Sequence, residues 1–484
     1  MKEVNSKIVA TNIVWRFFER FGAQIVSLIV SIVLARILDP IVYGTVALVI
    51  VFTTILQVFV DSGFGMALIQ KKDSDDLDFN TVFYFNVVTC LLLYVAMFFV
   101  APLIAIFYGN DSLVPIVRVL SLILVIAGFK SIQTTYVSKH LMFRKFFFAT
   151  LIGTVVSAVV GIYLAYKGYG VWALVAQNLI NQGLDTLLLW ITVHWKPKLM
   201  FSFKRLKSLF SYGWKLMASA LLDVGYNQIR ALIIGKMYSS EDLAYYNRGE
   251  QLPNLAVGNI NSSIDSVLLP SMSIAQNDPN RVKAMLKKSI GVSCFLLMPV
   301  MVGIAVCADS IVAVLLTDKW VPCIPFIQLF CLIYAFYPIH TANLNAMKAM
   351  GKSNYFLILE VIKKGIGIAL LIATMWISVK AIVLSLFAAN IISLIINAFP
   401  NKKLLGYGFL EQMKDILPTL LISCVMGAVV YYIFLVNGAG LFTLLKQVLV
   451  GVVLYFTLAC ILKLSSFKYV VTFFKNYKKN RIEK

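Results

Sequence analysis

Val87-Val-Thr-Cys-Leu-Leu-Leu-Tyr-Val-Ala-Met-Phe-Phe-Val-Ala-Pro-Leu-Ile-Ala-Ile-Phe107 contains no charged side chain. As a helix rising 1.5 Å per residue it would extend about 30 Å, the thickness of a bilayer's hydrocarbon core. Runs of this kind recur from Ile25 to Leu462. Within a bilayer every peptide group must be bonded inside its own segment, which leaves helices or closed barrels. Barrel strands alternate apolar and polar residues, and these runs do not. The composition agrees: the chain is 60% hydrophobic and 13% charged, with a mean hydropathy of +0.86. Soluble domains are about 25% charged. The runs predict an all-α polytopic membrane protein with about fourteen transmembrane helices, near 11–37, 42–66, 80–107, 114–137, 146–166, 171–193, 211–235, 246–272, 288–316, 323–349, 354–376, 380–399, 415–436 and 441–462.

The formal charge of +21 reads as a topology signal. With the amino terminus inside, roughly 28 of the 43 Lys and Arg residues fall on inner segments and about seven outside, the bias of the positive-inside rule. Inner clusters include Lys196, Lys198, Lys204, Arg205 and Lys207, then Arg281, Lys283, Lys287 and Lys288. Both termini are expected in the cytoplasm, and nucleic acid is not expected as a partner. The tail Tyr469–Lys484 mixes aromatics with lysines, which suits either anionic headgroups or plain solvation. Arg16, Glu19 and Arg20 interrupt the first apolar stretch, so it reads as a retained helix rather than a signal peptide.

A weak repeat suggests duplication. Ala101, Asp111 and Val114-Pro115 recur at one offset as Ala308, Asp318 and Val321-Pro322. Six helices precede the restart, so the halves would enter the membrane in the same orientation, related by a pseudo-two-fold along the membrane normal. The expected organisation is a six-helix lobe over 1–200, a second over 201–400, and two additional helices with a basic tail over 401–484.

Polar residues follow helical spacing within several apolar segments. The first helix carries Arg16, Glu19, Arg20 and Gln24; the second carries Gln57 and Asp61; the seventh Lys215, Asp223, Asn227 and Arg230; the eighth Asn254, Asn261 and Asp265. An ionisable group at mid-membrane costs about 2.5–3.5 kcal/mol on insertion scales, so such residues normally face a cavity or a partner. The expected substrate pathway therefore comprises Arg16, Glu19, Arg20, Asp61, Lys215, Asp223, Asn227, Arg230, Asn261 and Asp265. A cavity lined by arginine and lysine suits phosphate, which guanidinium binds through parallel bonds. Plainer readings stand beside this one. Arg16, Glu19 and Arg20 could snorkel to headgroups, Asp61 could meet a loop, and Asp223 could neutralise Arg230. Asn178, Asn181, Gln182 and Asp185 in the sixth helix are read first as helix–helix bonds, and Glu360 with Lys364 as a surface ion pair.

Catalytic signatures are missing from the sequence: there is no phosphate-binding loop, no Ser/His/Asp arrangement and no paired metal-binding carboxylates. The seven cysteines are scattered, and His140, His194 and His340 show no ligand spacing. A transporter rather than an enzyme is expected, without a cofactor or metal, with coupling to Na⁺ or H⁺ left open.

Several segments resemble the Wzx-type polysaccharide flippases of the multidrug/oligosaccharidyl-lipid/polysaccharide exporter superfamily. They are Leu34-Ala-Arg-Ile-Leu-Asp-Pro-Ile-Val-Tyr-Gly44, Asp61-Ser-Gly-Phe-Gly-Met-Ala-Leu-Ile-Gln70, Gly168-Tyr-Gly-Val-Trp-Ala-Leu-Val-Ala-Gln177, and Ile234-Gly-Lys-Met with Tyr245-Tyr-Asn-Arg248. The resemblance implies translocation of an undecaprenyl-diphosphate-linked oligosaccharide across the bacterial cytoplasmic membrane by alternating access, with polysaccharide polymerase machinery as a further partner. A cation-coupled multidrug exporter and a lipid II flippase are the alternatives; the first favours an acidic cavity, whereas this one is net basic.

Overall fold

A computed structural model describes the backbone of residues 6–61, 64–71 and 73–472, and the side chains within those ranges except 6–21, 61, 212, 263, 266–267 and 353–354. Of the described residues 88% are helical, and none of them forms a strand. Among the described residues, nine segments are long and apolar enough to cross a membrane by length and composition. Further long helices occupy the expected first, sixth, seventh, eighth and eleventh spans, where the polar stripes lower the hydropathy or the side chains lie outside the described residues.

Contacts divide the chain into two compact units, Met1–Ala244 and Tyr245–Lys484. The first contains α1 (Ser6–Ile37), α2 (Pro40–Asp61), α3 (Phe64–Gln70), α4 (Asp76–Tyr108), α5 (Leu113–Leu120), α6 (Leu122–Lys139), α7 (Phe143–Tyr166), α8 (Val171–Thr192) and α9 (Phe203–Met237). The second contains most of α10 (Ser240–Ile274), then α11 (Pro279–Val306), α12 (Ala308–Leu315), α13 (Ile324–Ala335), α14 (Tyr337–Ala349), α15 (Ser353–Thr374), α16 (Val379–Leu405), α17 (Phe409–Asn437) and α18 (Leu441–Ile461). The expected single spans over 114–137, 288–316 and 323–349 are each broken: α5 gives way to α6 at Ser121, α11 to α12 at Cys307, and α13 to α14 at Phe336.

Helix ends follow from local chemistry. Asp75 caps α4 by accepting from the Asp78 amide at 2.9 Å, and Asp78 returns the bond by accepting from the Asp75 amide at 3.2 Å. The helix stops at Gly109 (φ +66°), a left-handed conformation that glycine adopts without steric cost. Asp278 caps α11, with Pro279 in the first helical position. Outward faces are apolar: Phe99 and Ile106 on α4 are each 72% exposed, and Leu449 on α18 is likewise exposed. Water would not tolerate this much contiguous apolar surface, whereas lipid does.

The first unit is built on an aromatic core of Phe64, Phe79, Phe83, Phe146 and Trp195. Trp195 belongs to the connector between α8 and α9, and its ring sits 5.9 Å from that of Phe83. The connector is also held by polar contacts. The Trp195 carbonyl accepts from Gln133 at 3.3 Å, and the Ser202 amide donates to Thr81 Oγ1 at 3.2 Å. Lys198 pairs with Asp76 at 2.6 Å and Arg205 with Asp75 at 3.2 Å. Asp78, fully buried, takes Lys71 at 2.5 Å. The bond from the Asp78 amide, aided by Arg205 and Lys71 against partial desolvation, holds the Asp75 carboxyl below its ordinary 3.8. The second unit packs around Met272, Leu286, Ile290, Met298, Ile339 and Leu394.

Candidate functional site

The stripe on α9 divides by environment. Lys215, Asp223 and Asn227 are exposed, while Arg230, less than one turn beyond Asn227, is only 3% exposed. Slightly further along, α9 meets α2 at very close range. A methyl group on Gly235 would lie 2.2 Å from Leu48 Cδ2, and one on Gly44 would lie 1.6 Å from the Ser240 carbonyl oxygen. Bare glycine at these two positions allows the backbones to approach. Arg230 is buried where this approach begins. Its guanidinium carbon stands 5.2 Å from the centre of the Tyr226 ring, and its Nε and Nη2 are buried without a hydrogen-bond partner. The expected neutralisation by Asp223 therefore does not reach these two nitrogens. A buried cation with unmade bonds costs free energy that an arriving anion would recover. Guanidinium presents two parallel N–H donors suited to phosphate oxygens.

The polar residues of α10 are engaged differently. Asn261 Nδ2 donates to Thr341 Oγ1 at 2.7 Å, and one turn further Asn345 Nδ2 donates to Asp265 at 2.5 Å. Both bonds run to α14, so two successive turns of α10 and α14 lie side by side. Asn261 Oδ1 is buried without a partner. The structure thus groups Lys215, Asp223, Asn227 and Arg230 on α9 of the first unit, and Asn261 with Asp265 on α10 of the second. The side chains of Arg16, Glu19, Arg20 and Asp61 lie outside the described residues.

Lys130 and Arg118, to which the sequence reading gave no role, gain a place in the structure. Lys130, unassigned by spacing, pairs with Asp185 of α8 at 2.6 Å and donates to Gln182 at 3.0 Å. With Gln57, Thr134, Ser138 and Gln182 it lines a cavity of about 410 Å³ bounded by α2, α3, α6 and α8. The available signal was a lysine in one apolar run and an aspartate in another, each needing the other. Asn181 reaches Thr154 and Ser157 of α7 at 3.3 and 3.2 Å, which is helix–helix bonding of the kind expected for the sixth helix. Arg118 donates to the Phe98 carbonyl at 3.3 Å and lies 4.1 Å from that ring's centre. Glu360 bonds Lys363, one residue before the expected Lys364. All seven cysteines are free, five of them buried.

Fold and site together define a polytopic helical membrane protein with a buried, unpaired cation on one of its polar helices. The chain belongs to the polysaccharide biosynthesis protein family, whose sequence profile matches residues 33–325. It is 25% identical over 332 residues to the succinoglycan biosynthesis transport protein ExoT of Rhizobium meliloti (strain 1021), covering 68% of this chain and 67% of that one. It is 23% identical over 420 residues to the lipopolysaccharide biosynthesis protein WzxC of Escherichia coli (strain K12), covering 83% and 84%. Among solved structures, the lipid II flippase MurJ in its inward closed conformation has a similar fold, with a TM-score of 0.74 over 93% of this chain and 98% of that one, at 19% identity.

Proposed function

We propose that this chain flips undecaprenyl-diphosphate-linked oligosaccharide repeat units from the cytoplasmic to the outer leaflet of the bacterial cytoplasmic membrane, feeding polysaccharide polymerisation outside. A sugar chain with a diphosphate cannot cross hydrocarbon unaided, so carriage needs a polar route with cations in it. The observation that carries the reading is Arg230, buried on α9 with two donor nitrogens unmet among the described residues. Family membership supplies the polysaccharide context, and both relatives are named for polysaccharide or lipopolysaccharide biosynthesis, one of them as a transport protein. In this reading two six-helix lobes alternate access about a pseudo-two-fold, the stripe on α9 faces the route, both termini are cytoplasmic, and no covalent step is catalysed. An ion gradient supplies the drive.

The test is to delete the gene and follow surface polysaccharide together with lipid-linked oligosaccharide in each leaflet. Loss of polymer with repeat units held on the cytoplasmic leaflet is the expected result. Normal polymer accompanied by new sensitivity to cationic drugs would overturn it and favour a multidrug exporter. The shared fold with a lipid II flippase gives the second reading its footing, and a block in peptidoglycan synthesis on depletion would select it.

A further inference from the structure

His340 sits on α14 with only 8% of its surface exposed, in the interior of a segment that spans the membrane by length and composition. Its ring is held between two amides of α16. Nε2 faces Asn390 Oδ1 at 3.3 Å, and Nδ1 faces Asn397 Nδ2 at 2.9 Å. An amide oxygen only accepts, and an amide nitrogen only donates. These contacts therefore describe a neutral ring with its proton on Nε2. Asn397 has one further property: its Oδ1 is buried and has no hydrogen-bond partner. Rotating that carboxamide by half a turn would place an acceptor against Nδ1, which is the arrangement a doubly protonated ring requires. One side-chain rotation thus satisfies the ring in either charge state.

Buried amides continue from this point toward the basic end of α16. One turn beyond Asn397, Asn401 donates to Asn343 Oδ1 at 2.7 Å, and Gln412 on α17 bonds the same Asn343 amide in both directions at 2.8 and 2.9 Å. Gln412 also donates to the carbonyl of Tyr407, whose hydroxyl donates to Asp415 at 2.7 Å. Asp415 pairs with the half-exposed Lys287 at 2.8 Å. Asn401 Oδ1, like Asn397 Oδ1, is buried and unpartnered, so two open acceptors lie along the file. The ionisable groups on the elements packed around the ring are Tyr337 on its own helix, Cys294 on α11, Tyr334 on α13, Asp265 on α10, and Glu360 with Lys363 on α15. The last two are bonded to each other, and the Lys363 cation works against a second positive charge beside it on the ring.

We propose that His340 is a proton-binding site of the second unit, with Asn397 as the acceptor that turns to receive the added N–H, and that its charge state couples the proton gradient to transport. The proton adds to Nδ1, Asn397 turns its Oδ1 to receive that N–H, and Asn390 keeps its bond to Nε2. The coupling half of the proposal rests on the transporter reading above; the protonation half does not.

The experiment uses the full chain in proteoliposomes, with His140 and His194 changed to Gln so that one labelled histidine remains. Solid-state ¹⁵N spectra are recorded from about pH 8 down to about pH 3, a window that extends below the range in which exposed histidine changes charge. The expected result is conversion from one bare and one protonated ring nitrogen to two protonated nitrogens. Asn397→Asp should move the midpoint to higher pH and Asn397→Leu to lower pH. A ring that keeps its bare nitrogen throughout would overturn the proposal, as would midpoints indifferent to residue 397. In parallel, an imposed gradient of one pH unit should shift the leaflet ratio of lipid-linked oligosaccharide about tenfold per coupled proton, and His340→Asn should abolish that shift. Retention of the full gradient response by His340→Asn would overturn the coupling. If the unaltered chain moves no lipid-linked sugar, the flippase reading fails, while the spectra still decide the protonation.

Discussion

Arg230 separates function from stability. Most buried cations are paired, and removing one strands its partner. Here Nε and Nη2 have no partner to strand. Arg230→Met, which keeps the volume and discards the charge, should leave thermal stability unchanged or raise it. The same variant should reduce polysaccharide display by at least about tenfold, the effect of losing one charge-assisted bond of ~1.5–3 kcal/mol in binding. Quantifying surface polymer at native expression, with membrane insertion checked alongside, tests both halves. Gly44 makes the opposite point. A methyl group there would meet backbone rather than a yielding side chain, so Gly44→Ala should cost about 1–3 kcal/mol through overpacking, read as a lower melting temperature in detergent. The sequence exposed both residues unequally. The stripe Lys215, Asp223, Asn227 and Arg230 was legible from spacing, but nothing in it distinguished the buried member from the three exposed ones. That difference is tertiary, and spacing along one helix does not encode it.

Among elements, the connector between α8 and α9 departs furthest from what a basic loop suggests. Lysine and arginine at 196–207 signal the inner face, yet the positions of their partners Asp75 and Asp76 follow only from the fold. Asp78→Ala removes the buried acceptor of Lys71 and half of the α4 capping box. It should destabilise the first unit by about 1–3 kcal/mol, seen as faster proteolysis between α8 and α9. Acid should act on the same place. Because the folded carboxyl of Asp75 is held below its ordinary 3.8, its contribution is complete above that value and fades as pH falls through the lower, folded value. The connector should therefore become protease-sensitive first at the acid end of a pH series, and Asp75→Asn should show that sensitivity already at neutral pH. Apolar runs located the helices well, since each had to span the same thickness of lipid. They did not reveal the breaks at Ser121, Cys307 and Phe336, because apolar content continues across each joint and only the backbone changes direction.

For the molecule as a whole, the charge pattern makes the orientation testable. A fluorescent domain that folds only in the cytoplasm should shine when fused after Lys484 and stay dark when inserted after Gly170. The reverse result would invert the topology. The two units also differ in how their polar groups are used. In the first, an ion pair between Lys130 and Asp185 crosses between spans, while in the second, amides and one histidine bond helix to helix. The latch at Asp75, Asp76 and Asp78 has a bearing on manufacture. Its partners lie up to 130 positions later in the chain, so they leave the ribosome only after the early helices have already entered the bilayer. Until Lys198 and Arg205 emerge, the three carboxylates at the start of α4 lack these two later partners. Closure of the latch ties the start of α4 to the start of α9, and a nascent chain stalled before Arg205 should still present an open, protease-accessible inner face.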